Sequence, residues 1–388
     1  MRFYVQGEGH RKRVQKFLGT FEQLTKPQAK TKMAEALVEL NNNPVLPIQS
    51  TQTFAAAAEN WLAECETRED PVKPSAIVTW RGILTNHLNP QIGAMPLADV
   101  GNGTLKSVVK SLHHTHLDQK LKPATVHNIV TVAKLVVASA VDDDGDELFP
   151  RTWNSKFIGA PRVVTAKQNR PRFSATQVSQ IANTATGQTQ MLCVLLAASG
   201  LRIGEALGLE CKHFDGACVH VVQTIWGNRG QVQTPKTQAA DRYVDLHPDV
   251  SALLKQFIGT RTKGYIFQTS SGKPLSASIV LRRGLHPLLA ELGIPRCGFH
   301  AFRRFRVTHL SKERCPYALL IFWVGHAKKK VTELYDQPEE DLVYRADVVR
   351  GVGTGFEVPK TLTPKQEKSS QPGVNARLDV QETPVNIG

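Results

Sequence analysis

His300-Ala-Phe-Arg303-Arg-Phe-Arg-Val-Thr-His-Leu, then a loop, then Phe322-Trp-Val-Gly-His326-Ala-Lys-Lys-Lys-Val-Thr332-Glu-Leu-Tyr335 is the stretch around which the chain is organised. His300 and Arg303 are three residues apart, so on a helix they project from one face. Two histidines, an arginine and a tyrosine behind a basic loop are the parts needed to hold a phosphodiester and attack it with a phenol. A tyrosine hydroxyl ionises near pH 10, so Tyr335 needs neighbouring cations to act at neutral pH. Tyr317 and Tyr344 are rivals, but neither follows a Gly-His-basic-loop segment, and Tyr344 fits the apolar face of a helix opened by Pro338.

The rest of the composition agrees with a polyanionic partner. The chain has 388 residues, a formal net charge of +14 and a pI of about 9.6. A basic surface gains free energy on a phosphate backbone through counterion release. With 41% hydrophobic and 21% charged residues it reads as a soluble globular protein of two or three domains. No apolar run approaches a membrane span, and the N-terminus lacks the apolar core of a signal peptide. The six cysteines form no Cys-x-x-Cys pair and read as reduced thiols of a cytoplasmic protein.

Along the chain, residues 1–45 combine a basic strand region around Arg11 with a helix predicted from Thr25 to Leu40. Residues 52–145 read as four helices, opened at Thr53, Ser75, Leu97 and Pro123, and make an all-α domain. Residues 146–172 mix prolines with Arg151, Lys156, Arg162, Lys167, Arg170 and Arg172 without helical period, which predicts an extended basic linker. Residues 173–350 alternate helices with a few short strands, predicting an α+β domain that is mostly helical with a small antiparallel sheet. Beyond Gly351 the composition is too poor in apolar residues to fold alone, so 351–388 is expected to be a disordered tail. Leu342, Val343, Ala346 and Val349 form a stripe expected to dock on a neighbouring protomer.

Two further groups complete the chemistry. Arg202 and Glu205 are at i,i+3, where a carboxylate can orient a guanidinium. Two planar, permanently charged arginines, Arg202 and Arg303, suit the non-bridging oxygens of a phosphate and the extra charge of a pentacoordinate phosphorane. Lys236 lies between two predicted strands, where its ammonium can protonate a departing alkoxide.

Together, Ser-Gly-Leu-Arg202-Ile-Gly-Glu205-Ala-Leu-Gly-Leu, Lys236, His300-x-x-Arg303, Val-Gly-His326 and Thr332-x-x-Tyr335 resemble the tyrosine recombinases, the phage-integrase family of site-specific recombinases. The resemblance implies that Arg202 and Arg303 clamp the scissile phosphate, Lys236 is general acid, His300 moves a proton, His326 bonds the phosphate and Tyr335 forms a 3′-phosphotyrosyl link. It implies a helical core-DNA-binding domain at 52–145 and an arm-type DNA-binding extension at 1–45. It also implies double-stranded DNA at specific sites as partner, a homotetramer in the synaptic complex, accessory DNA-bending proteins, and no metal, cofactor or ATP. Val324 stands where leucine is usual before Gly-His, and Arg304 where histidine or lysine often follows the motif arginine.

The same groups fit two other classes: a type IB topoisomerase-like nicking and resealing enzyme, and a catalytically inactive DNA-binding regulator. The separate helical domain favours strand exchange over the first, and the complete Arg-Lys-His-Arg-His-Tyr set argues against the second. Cys211-x-His213 and Cys218-x-His220 are spaced for two strands of a hairpin, yet structural zinc usually takes Cys-x-x-Cys, so buried thiols are the expectation. His113, His114 and His116 read as a polar helix face.

Overall fold

The computed structural model describes residues 2–7, 10–15, 25–42, 52–114, 121–164, 170–227, 230–233, 241–326 and 340–364. The chain divides into two compact units, Met1–Lys167 and Gln168–Gly388. No helix among the described residues is long and apolar enough to cross a membrane.

The first unit starts with an antiparallel pair, β1 (Arg2–Gly7) and β2 (His10–Gln15), followed by α1 (Lys26–Asn42). Four principal helices follow: α2 (Phe54–Thr67), α3 (Pro74–Ile83), α4 (Asn102–His114) and α5 (Pro123–Ala138). Thr53 caps α2, its hydroxyl accepting from the Ala56 amide at 3.3 Å. The third helix begins at Pro74 rather than Ser75, since proline's missing N–H costs nothing in a first turn. Phe54, Trp61 and Leu62 of α2 share one core with Leu105 and Val108 of α4 and with Ile129, Ala133 and Val136 of α5. These positions fall at helical spacing, which is why the helices were legible.

The predicted linker at 146–172 is not a single extended connector. Phe149 and Ile158 are buried in the helical core, and Ser155–Ile158 forms one helical turn capped by Asn154. The Arg151 guanidinium donates to the carbonyls of Ala98 and Val100. Further on, Arg172 donates to the Thr308 hydroxyl at 3.2 Å, and Arg304 donates to the Pro171 carbonyl at 2.9 Å. The two ends of this segment therefore belong to different units.

The second unit is built on α7 (Gly187–Ser199), which follows α6 (Ala175–Thr184). Residues 190–199 of α7 are all buried, as expected of a helix apolar all round. A five-residue helix, α8 (Ile203–Leu207), follows directly. Two antiparallel ribbons come next: β3 (Cys218–Val221) pairs with β6 (Arg242–Asp245), and β4 (Thr224–Trp226) with β5 (Gln231–Gln233). Between β3 and β4, Gln223 donates to the Gly208 carbonyl and the Glu210 carboxylate and breaks the run. The strand predicted at 264–268 makes only isolated bridges, while Ile266 and Phe267 are buried. Then come α9 (Pro248–Ile258), α10 (His300–Lys312), which packs on α7, α11 (Tyr317–Val324) and α12 (Leu342–Val352). The fold is thus α+β, mostly helical with small antiparallel ribbons.

The C-terminal tail expectation needs correcting, and one residue of the expected docking stripe, Val349, turns inward. Helix α12 turns Arg345, Val349 and Val352 into its own unit, while Leu342 and Val343 remain 67% and 73% exposed. Arg345 makes a two-pronged ion pair with Asp245 of β6 at 2.8 and 3.0 Å, and the indole of Trp323 donates to the same carboxylate at 2.6 Å. Nor is 353–364 a free tail: Phe356 is buried against Phe305, and the Gly187 amide donates to the Thr363 carbonyl. Phe356, with Val358, Leu362 and the bonds of Glu357 and Thr363, anchors this proline- and lysine-rich segment, although average composition argues the opposite. Phe356→Ala is expected to destabilise the second unit by about 3 kcal/mol. Urea unfolding followed by tryptophan fluorescence checks this, and an unchanged midpoint would show that the segment contributes nothing.

Candidate active site

The site is assembled at the ends of helices. Helix α7 stops at Gly200, in the left-handed conformation, and the chain then enters α8 with Arg202 as its first flanking residue. Glu205 reaches back over this turn, its Oε2 accepting from the Arg202 amide at 2.9 Å and its Oε1 from Arg202 Nη1 at 2.7 Å. The helix sits close on β4 because residue 204 is glycine: a Cβ there would lie 2.5 Å from the Thr224 hydroxyl and 2.6 Å from the Ile225 carbonyl. Glu205 is only 5% exposed and also accepts from Arg242 Nη2 at 3.0 Å. Burial alone would raise its pKa. The charge and hydrogen bonds of Arg242, then those of Arg202, outweigh that and hold the carboxyl below its ordinary range.

Helix α11 ends at Val324 in a Schellman turn, with Gly325 left-handed and the His326 amide donating to the Ile321 carbonyl at 3.0 Å. Three successive carbonyls at this end each accept from a different arginine. Trp323 takes Arg242 Nε at 2.8 Å, Val324 takes Arg303 Nη2 at 2.5 Å, and Gly325 takes Arg202 Nη2 at 3.5 Å. Residue 325 must be glycine on two counts: its φ is 63°, and a Cβ would lie 2.7 Å from Arg242 Cζ.

Arg303, on the first turn of α10, is 4% exposed and donates to the Gly200 carbonyl at 2.9 Å. Burial first, and then the neighbouring Arg202, push its pKa down to about 10, so it stays cationic at neutral pH. Its Nη2 donates to His326 Nε2 at 3.1 Å, which makes that nitrogen an acceptor and puts the ring proton on Nδ1. His300 lies at the surface one helical turn before Arg303. Partial desolvation, then the guanidiniums of Arg304, Arg303 and Arg202, hold its pKa below the usual imidazole range, leaving it neutral and able to take a proton.

Arg170, Arg172, His300, Arg303, Arg304 and His326 line one cleft of about 600 Å³, together with Val307 and Thr308. Four basic side chains with two imidazoles, and no acidic lining residue among the described residues, make it suited to an anion. Arg202 adjoins it through Gly325 and Glu205. Lys236 and Tyr335 lie outside the described residues, as does His116, and nothing is described of the His113 and His114 side chains. The rival Tyr317 is 64% exposed at the start of α11, and Tyr344 is 40% exposed on α12 rather than on its apolar face; neither lines the cleft. The zinc-like quartet takes other partners: Cys218 Sγ donates to Asp215, His220 pairs with Asp241 at 2.8 Å, and His213 Nδ1 accepts from the Glu210 amide. Arg242, 1% exposed, was not singled out by sequence; an arginine opening a short strand carries no spacing signal, and only its burial marks it.

A basic, carbonyl-braced cleft on a mostly helical α+β unit is suited to an anion. Residues 171–341 match the phage integrase family. It is similar to a tyrosine recombinase XerC-like protein of Caldanaerobacter subterraneus subsp. tengcongensis, 24% identical over 79% of this chain and 84% of the relative. In fold it is similar to the Tn1549 transposon integrase solved with a circular intermediate DNA, with a TM-score of 0.58, 16% identity and coverage of 73% of this chain and 97% of that one. It is likewise similar to a lambda integrase tetramer bound to a Holliday junction, with a TM-score of 0.51, 15% identity and coverage of 84% and 97%.

The depressed pKa of Glu205 makes a stability prediction. A carboxylate whose folded pKa lies below its unfolded value, about 4.3 for glutamate, contributes stability fully present above that value and lost as pH falls through the folded one. At pH 7 Glu205→Gln should therefore be less stable than the native chain, and the gap should close as pH falls below about 4. Parallel denaturation curves from pH 7 to pH 3 measure it; a gap constant with pH would show that the charge contributes nothing.

Proposed function

We propose that this chain is a site-specific DNA recombinase, an integrase that cleaves and rejoins DNA strands in the integration or excision of a mobile element. One observation carries this proposal: Arg303, His300 and His326 meet around one basic cleft, with Arg303 donating to His326, and Arg202 from a third stretch reaches the Gly325 carbonyl beside His326. In the proposed reaction the non-bridging oxygens of the scissile phosphate lie against Arg202 and Arg303, and His326 bonds one of them. The Tyr335 phenol oxygen attacks phosphorus while its proton passes to His300. The bond from phosphorus to the 5′ oxygen breaks, and Lys236 protonates the leaving hydroxyl. The resulting 3′-phosphotyrosyl ester keeps the energy of the phosphodiester, so a 5′-hydroxyl from a partner strand reverses the step without ATP. The developing charge falls on guanidiniums that are already in place, so no metal is required for it.

The helical unit from α2 to α5 would grip the core site, and the β1–β2 ribbon with α1 would be the arm-type extension. Four copies would act on two paired sites, in the cytoplasm, with DNA-bending proteins assisting. The expected result is that Tyr335→Phe binds its DNA with unchanged affinity but forms no covalent complex on a nicked suicide substrate, as read on a denaturing gel. Equal covalent capture by the Phe variant would remove Tyr335 as the nucleophile and sink this assignment.

A further inference from the structure

Arg242 plays no part in the reaction as set out above, yet it is the most enclosed charge near the cleft. It opens β6, in register with Val221 of β3, and points inward along the alternation of that strand. Its side chain is 1% exposed, and the Glu205 carboxylate it meets is 5% exposed. A charge buried this deeply is costly unless every bond it can make is made. Nε donates to the Trp323 carbonyl at 2.8 Å, which fixes the plane of the guanidinium against the end of α11. Nη2 and Nη1 then reach the two oxygens of Glu205 at 3.0 and 3.4 Å. Gly325 lies directly on the guanidinium, where a Cβ would be 2.7 Å from Cζ and Nη1.

Glu205 is therefore shared. One side of its carboxylate faces the buried Arg242, and the other faces Arg202, which is 43% exposed and borders the cleft. A carboxylate with a single guanidinium partner forms a two-pronged pair and draws that guanidinium onto itself. With Arg242 Nη2 and the Arg202 amide on Oε2, the Arg202 side chain meets only Oε1, through Nη1 at 2.7 Å, an oxygen that Arg242 Nη1 also approaches at 3.4 Å. The trio carries one net positive charge, from two guanidiniums and one carboxylate. Without Arg242 the pair of Arg202 and Glu205 would be neutral overall. The cleft would lose positive charge, and Arg202 would be pulled towards the protein.

We propose that Arg242 is a positioning residue for strand cleavage: acting through Glu205, it holds Arg202 at the mouth of the cleft with its charge directed at the scissile phosphate. The proposal rests on the recombinase assignment. It is specific to this juxtaposition of β6, α8 and the end of α11, and it predicts coupling between positions 242 and 205 that a merely structural arginine would not show.

The test is a double-mutant cycle in the full chain, read as the rate of covalent capture on a nicked suicide substrate, with DNA affinity and circular dichroism measured alongside. Arg242→Met is expected to slow capture about 100-fold, the size of effect seen when one preorganised donor to a developing oxyanion is lost. DNA affinity should change less than about threefold, because most of the interface is backbone contact elsewhere. Arg242→Lys keeps the charge but not the fork, and should recover only part of the rate. In a Glu205→Gln background, Arg242→Met should cost less than about tenfold, since no buried carboxylate remains to recapture Arg202. Native-like capture by Arg242→Met, or a full 100-fold loss in the Gln background, would overturn the proposal. Should Arg242→Met alone fail to fold, the comparison of Glu205→Gln with the double variant, which leaves no buried carboxylate unpaired, decides it. These outcomes are separate from the Tyr335→Phe result, which tests the recombinase assignment itself.

Discussion

The structure of the cleft depends on one buried carboxylate lying between two guanidiniums. Glu205 on its own would be expelled towards water or protonated, because burial disfavours its charge. Arg242 on its own would be a cation sealed in a core. Each makes the other tolerable, and Arg202 completes the group at the surface. The glycines at 204 and 325 follow from this packing, since each gives the backbone room to close on the cluster. A buried ion pair of this kind adds little to net stability compared with apolar residues of the same volume. What it supplies is geometry, with a guanidinium held in one place before any phosphate arrives.

The remaining arginines are neutralised by another means. Arg303 and Arg306 are buried on α10, and both are satisfied chiefly by backbone carbonyls, those of Gly200 and Val324 for the first and of Gly353 for the second. Carbonyls at a helix C-terminus have no partner within the helix and carry partial negative charge. The end of α11 offers three in a row, and three arginines take them. A carbonyl binds a guanidinium without cancelling its full charge. The cleft thus keeps a positive field that a set of carboxylate partners would have extinguished.

Most of the helices, and the pairing of His300 with Arg303 and of Arg202 with Glu205, were legible because helical periodicity is local. What was not legible depends on single residues or on distant neighbours. Phe149, Ile158 and Phe356 each anchor a segment whose average composition reads as linker or tail. The break between β3 and β4 depends on Gln223 finding Gly208 and Glu210, which no window over 220–225 contains. Arg242 looks like an ordinary strand residue until the carbonyl of Trp323 is brought beside it. The face of the last helix that packs on its own unit is set by Arg345 and its long-range partner Asp245, which periodicity alone does not show.

The segment after α12 also imposes an order on the birth of the protein. Helix α10 carries His300 and Arg303 on its first turn, but its far half is completed by residues that follow much later in the chain. Arg306 donates to Gly353, His309 Nε2 meets the Val352 carbonyl, and Phe305 packs on Phe356. A ribosome delivers these partners some fifty residues after the helix itself has emerged, and domains fold as their sequence becomes available. Until then Arg306 has no buried acceptor at Gly353, and the helix that carries His300 and Arg303 has one side open to water. A half-made chain can therefore assemble its helical N-terminal unit before it owns a finished cleft, so the two units are completed at different times.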